Sequence, residues 1–101
     1  MKVDNISAVG INEAGQLFVK PEQAQFNMIW RSATEVHWNE KEGYLFSPKP
    51  REWSYFDWYT QIVSAVLDEY GCKLILVFHT VWLNIPDDLK QQIIEFNNSW
   101  V

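Results

Sequence analysis

A chain of 101 residues is the size of one domain, and 48% hydrophobic against 21% charged residues excludes a disordered tract. The formal net charge of −5 argues against the cationic footprint that phosphate-backbone binding needs, so nucleic acid is not an expected partner. A lone cysteine, Cys72, excludes an internal disulfide and fits a reducing compartment.

The opening MKVDNISAVG has no apolar run behind Lys2, so no secretory leader is expected. The longest apolar run, LILVF, is too short to span a bilayer, so no membrane contact is expected and the cytoplasm is the expected location. VDNISAV and QLFVK flank GINEAG and read as a hairpin. Phe26, Ile29, Trp30 and Ala33 recur at helical spacing and predict a short helix. VHW and YLFS then form a second hairpin, closed by Gly43.

The next helix is the best specified element. Ser54 and Asp57 form a capping pattern in which hydroxyl and carboxylate satisfy free N–H groups of the first turn. Trp53 and Trp58 then occupy the two positions of a hydrophobic staple. Tyr55, Tyr59, Ile62, Val66 and Tyr70 follow one face, Asp57, Gln61, Ser64 and Asp68 another, and Gly71 ends the helix.

CKLILVFHTVWL is apolar on both alternating faces from Leu74 to Phe78, which predicts a central strand covered on both sides. The last helix opens at Pro86, carries Asp87 and Asp88 in its first turn, and lines up Ile85, Leu89, Ile93 and Phe96. This order predicts a single α+β domain over residues 1–101. A mostly antiparallel sheet of about five strands carries two main helices, and the short one, on one face.

SPKPREWSYFDWY, residues 47 to 59, concentrates the candidate chemistry. Pro48 and Pro50 stiffen the crossing from strand to helix. Lys49 and Arg51 stand beside aromatic rings and can meet an anion or carboxylate, with Arg51 the better fork. The competing reading has two solvated charges, with Arg51 bridging Glu52 or stacking on a ring.

Glu35 and His37 lie two apart and would share a face on a strand, which makes them the one candidate acid–base pair. An exposed pair of polar side chains is the ordinary meaning of that spacing. His37, His79 and Cys72 lack metal-ligand spacing, and no phosphate loop, nucleophile elbow or dinucleotide fingerprint occurs. Neither a metal, a cofactor nor a catalytic residue is therefore expected.

The run from EVHW through GYLFSPKPREWSYFDWYTQIVSAVLDEYG to WLNIPDDLKQQI resembles small bacterial proteins of unassigned function. Some of these are carried as mobile gene cassettes in integrons. SPKPREW followed by Y-x-D-W is the specific part of the resemblance. It implies a bacterial, intracellular α+β protein with an accessory or adaptive role, toxin neutralisation included, and it carries over no site residues.

Three functions follow, in this order. The first is an interaction protein that meets a protein partner or forms a homodimer, because six Trp, four Tyr and six Phe in an acidic chain suit interface anchors. The second is a small-ligand pocket walled by Trp30, Trp38, Trp53 and Trp58, with Arg51 or Glu35 orienting the ligand. The third is an enzyme using Glu35 and His37. A flat exposed Trp cluster would favour the first, a concave one the second.

Overall fold

The computed structural model describes residues 1–100. Strands β1 (Lys2–Ile11) and β2 (Leu17–Pro21) form an antiparallel hairpin. Its turn is closed by Asn12, whose carbonyl accepts from Gly15 N–H at 2.9 Å and whose side-chain oxygen accepts from the N–H groups of Ala14 and Gln16. Strands β3 (His37–Asn39) and β4 (Tyr44–Phe46) form the second hairpin.

Helix α1 spans Tyr55–Tyr70 and is built as its sequence requires. Ser54 Oγ accepts from Asp57 N–H at 3.1 Å, and Asp57 Oδ2 accepts from Ser54 N–H at 3.0 Å. Trp53 and Trp58 meet with ring centroids 4.7 Å apart across that cap. Gly71 stops the helix at φ 62°, a left-handed conformation that costs a side-chain-bearing residue more.

Strand β5 (Cys72–Leu83) and helix α2 (Asp87–Trp100) complete the chain. The sheet runs β3-β4-β2-β1-β5, with β5 parallel to β1 and every other pairing antiparallel. The fold is α+β. Register lines up Trp38, Leu45, Val19, Val9 and Trp82 across all five strands. That row belongs to the core side, together with Tyr59, Ile62, Val63 and Val66 of α1 and Leu89 and Ile93 of α2. The adjacent row, His37, Phe46, Phe18, Gly10 and Leu83, falls on the opposite face by strand alternation.

Two expectations are corrected. The predicted short helix is a single 3-10 turn, Ile29–Ser32, which buries Ile29 and leaves Trp30 exposed. Ala33 ends it at φ 56°. Strand β5, expected at the centre, is an edge strand. The expected cover on both sides is not found either: Leu74 is buried, Ile75, Leu76 and Val77 are half-buried and Phe78 is exposed, while side chains of α2 meet the outer edge of the strand. Leu76 N–H donates to Asn97 Oδ1 at 2.9 Å, and Trp100 Nε1–H donates to the Leu74 carbonyl at 3.1 Å.

Past Leu76 the β5 register breaks. Ile6 pairs with Leu76 and Ala8 with Val81, so Val77, Phe78, His79 and Thr80 stand opposite the single residue Ser7. Thr80 Oγ1 fastens this excursion, donating to the Ile6 carbonyl at 2.7 Å and accepting from Val77 N–H at 3.0 Å. Phe78, at its tip, is fully exposed.

Candidate functional site

A cleft of about 530 Å³ opens beside the first turn of α1. One wall is the crossing from β4 to α1, contributing Pro48, Lys49, Arg51, Glu52 and Trp53. Facing it is the link between the 3-10 turn and β3, contributing Ala33, Thr34 and Glu35. Trp58 and Gln61 of α1 line it as well.

The crossing is held by local chemistry. Ser47, fully buried, donates its N–H to the Leu17 carbonyl at 3.0 Å, extending the β2–β4 ladder by one bond. The Lys49 stem passes Gly15, with carbons 3.3 Å from where a Cβ would sit. Tyr55 O–H donates to the Gly15 carbonyl at 2.9 Å, so the first hairpin turn anchors both the crossing and α1.

The facing wall depends on an unusual backbone. Ala33 at φ 56° and Glu35 at φ 61° are both left-handed without being glycine. Such residues cost of order 1–3 kcal/mol each and collect at functional sites. Ser32 and Thr34 hydroxyls bond to each other at 2.6 Å. Gln61 Nε2 reaches the Thr34 carbonyl at 3.5 Å, the long polar contact that ties α1 to this wall.

Both indoles here are differently placed. Trp58 is 8% exposed and Trp53 is 45% exposed, so a half-exposed outer ring lies against a buried one. The positive end of α1 is already answered by the Asp57 carboxylate of the capping box. Among the described residues the one ion pair within 4.0 Å is His79–Glu22, at 3.7 Å. Lys49, Arg51, Glu35 and Glu52 therefore line a single cleft without pairing to one another. Among the described residues Arg51 neither bridges Glu52 nor stacks on a ring, and the cation–π pairs are Lys73 with Trp100 and Lys90 with Trp82.

Of the residues singled out from the sequence, Lys49, Arg51, Trp53, Trp58 and Glu35 come together in this cleft. Trp30, Trp38 and His37 do not. Trp38 turns to the core side, edge-on to Phe26 at 6.0 Å. Trp30 is exposed on the 3-10 turn. His37 packs against Phe46 at 5.3 Å on the other face of the sheet. The acid–base pair fails because Glu35 precedes β3 in a left-handed turn and does not share a strand face with His37.

Ala33, Thr34 and Gln61 were not singled out as site residues. Gln61 carried a weak signal, as a polar residue on the α1 face that leaves the core. Ala33 and Thr34 carried none.

Two ionisable groups are clearly displaced, and both lie outside the cleft. Burial raises the Tyr59 hydroxyl far above its ordinary value. Burial, with Asp4 adding to it and Lys2 opposing, pushes the Cys72 thiol up. Among the described residues no three His, Cys, Asp or Glu side chains group to hold a metal, and no helix is long and apolar enough to cross a membrane.

Comparison with known proteins gives the chain its family. No curated protein matches it. A family model described as Integron Cassette Protein Hfx_Cass5 matches residues 4–80. A solved structure from the mobile metagenome of the North West Arm Sewage Outfall, Integron Cassette Protein Hfx_Cass5, is 41% identical. That match covers 97% of this chain and 98% of that chain, with a TM-score of 0.50. The chain therefore belongs to the Hfx_Cass5 family of integron cassette proteins.

Proposed function

We propose that this protein is a small-ligand-binding protein of the bacterial cytoplasm, and that its ligand occupies the cleft between the β4–α1 crossing and the Ala33–Glu35 wall. The observation that carries the reading is the juxtaposition of the Trp53–Trp58 ring pair with four unpaired charges in one concave site. Ligand sites combine an apolar surface with a few convergent polar groups, and volumes of roughly 300–1,000 Å³ are usual. The buried thiol of Cys72 is compatible with a reducing compartment.

A thermal-melt screen with small aromatic acids, amines and amino acids tests the reading. A ligand should raise the melting temperature of the wild type and leave that of Arg51→Ala unmoved, since binding to the native state alone stabilises it. A screen in which every stabilising compound acts equally on both proteins would contradict it.

Phe78 favours a second reading, contact with a protein partner or with a second copy. A fully exposed ring on an excursion fastened by Thr80 is of the aromatic kind that anchors interfaces. Light scattering at high micromolar concentration tests self-contact. It should give twice the chain mass for the wild type and a single chain mass for Phe78→Ser. A single chain mass for both would reject the homodimer.

A further inference from the structure

We infer that the ligand of the cleft is a zwitterion of the amino-acid type, with a carboxylate and an ammonium group on one small molecule and an apolar or aromatic body. This rests on the small-ligand reading above and specifies its chemistry.

The charges decide the class. Arg51 and Lys49 belong to one wall and Glu35 to the other, and no cation of the cleft lies within 4.0 Å of a carboxylate. An anionic ligand would be drawn to Arg51 and Lys49 but would face Glu35 and Glu52. A cationic ligand meets the reverse conflict. A neutral ligand would pair none of the four exposed charges and gain nothing from them. A molecule carrying both charges can present a carboxylate to the Arg51 fork, which takes carboxylates bidentately. Its ammonium group then goes to Glu35. The capping box supports this polarity, because Asp57 already occupies the N-terminus of α1 and leaves carboxylate recognition to the cationic side chains.

The body of the ligand goes to the indoles. Trp58 is fixed in the core while Trp53 is half-exposed, with the two ring planes 46° apart. The two rings touch each other, so a flat or branched apolar group packs on the surface they leave exposed to the cleft. Both walls are thus used by one ligand.

Calorimetric titration with three probes tests the inference: L-phenylalanine, N-acetyl-L-phenylalanine, which keeps only the negative charge, and L-phenylalaninamide, which keeps only the positive one. Phenylalanine should bind at least tenfold more tightly than either analogue. Arg51→Gln should abolish its advantage over the amide and keep its advantage over the N-acetyl form, and Glu35→Gln should do the converse. Both side chains are exposed, so both variants should fold, which thermal melts check alongside the titrations. An analogue that binds as tightly as phenylalanine overturns the zwitterion while the cleft reading stands. If none of the three binds but another compound of the melt screen depends on Arg51, the zwitterion falls alone. If nothing depends on Arg51, both fall.

Discussion

The indole N–H of Trp100 donates to the carbonyl of Leu74 at 3.1 Å, so the end of the last helix closes the backbone of the outermost strand. Asn97, one turn earlier, receives Leu76 N–H, and the ammonium of Lys73 bonds to the Trp100 carbonyl while standing over its ring. Edge strands with free N–H and C=O groups are templates for pairing with other chains. Here side chains of α2 take those groups.

Asn97→Ala should therefore expose an edge. Loss of the acceptor should cost about 1 kcal/mol, within the range for a single hydrogen bond. Hydrogen exchange of the Leu76 amide should accelerate, while amides in β2 keep their protection. Unchanged exchange at Leu76 would show that Asn97 is not its acceptor in solution.

The helix cap makes a second prediction. Ser54→Ala removes the acceptor for Asp57 N–H and should lower stability by about 1 kcal/mol. Denaturant melts measure this directly. An unmoved midpoint would remove both the cap and the staple entry that depends on it.

Trp58 and Trp53 should separate in the same melts. Trp58, 8% exposed, is a core ring, and Trp58→Ala should cost about 3–5 kcal/mol. Trp53 is 45% exposed, so Trp53→Ala should fall well below that, at roughly 1–2 kcal/mol from partial burial alone. Arg51→Ala should stay within about 0.5 kcal/mol, as a surface change does. A large loss from Arg51→Ala would make Arg51 part of the folded framework and remove it from the ligand site.

Gly10 provides a packing test on the open face of the sheet. A Cβ there would run into the Phe18 ring and lie 2.9 Å from the Leu83 carbonyl. Gly10→Ala should destabilise by about 1–3 kcal/mol through overpacking. Pairing it with Phe18→Leu should recover part of the loss. If the double variant is no better than the single one, the ring is not what excludes the methyl.

What the sequence disclosed follows from how local each signal is. The Ser54–Asp57 cap, the Trp53–Trp58 staple and the Gly71 stop all act within a few residues, and each is present. The position of β5 is different. Its apolar run suggests cover on both faces, yet Phe78 is fully exposed and the outer edge is met by Asn97 and Trp100 of a helix, a distinction that alternation does not make. Its partner β1 is some seventy residues earlier in the chain, beyond any local pattern.

The cleft divides in the same way. The Pro48–Trp58 wall is contiguous in sequence and legible as a cluster of rings and cations. The opposite wall is set by the left-handed turns at Ala33 and Glu35, residue types that do not announce such a conformation. That turn also separates Glu35 from His37. Trp30 and Trp38 were misplaced because residue type says that an indole will pack or protrude, and only strand register sends Trp38 to the core side.

The most direct test of the ligand cleft is an NMR titration of the six Trp indole N–H signals with L-phenylalanine. The Trp58 and Trp53 signals should shift together and saturate, those of Trp30, Trp38, Trp82 and Trp100 should stay in place, and Arg51→Gln should abolish the shifts. Saturable shifts confined to other indoles, or none in the wild type up to millimolar ligand, would contradict the assignment of this cleft as an amino-acid-type site.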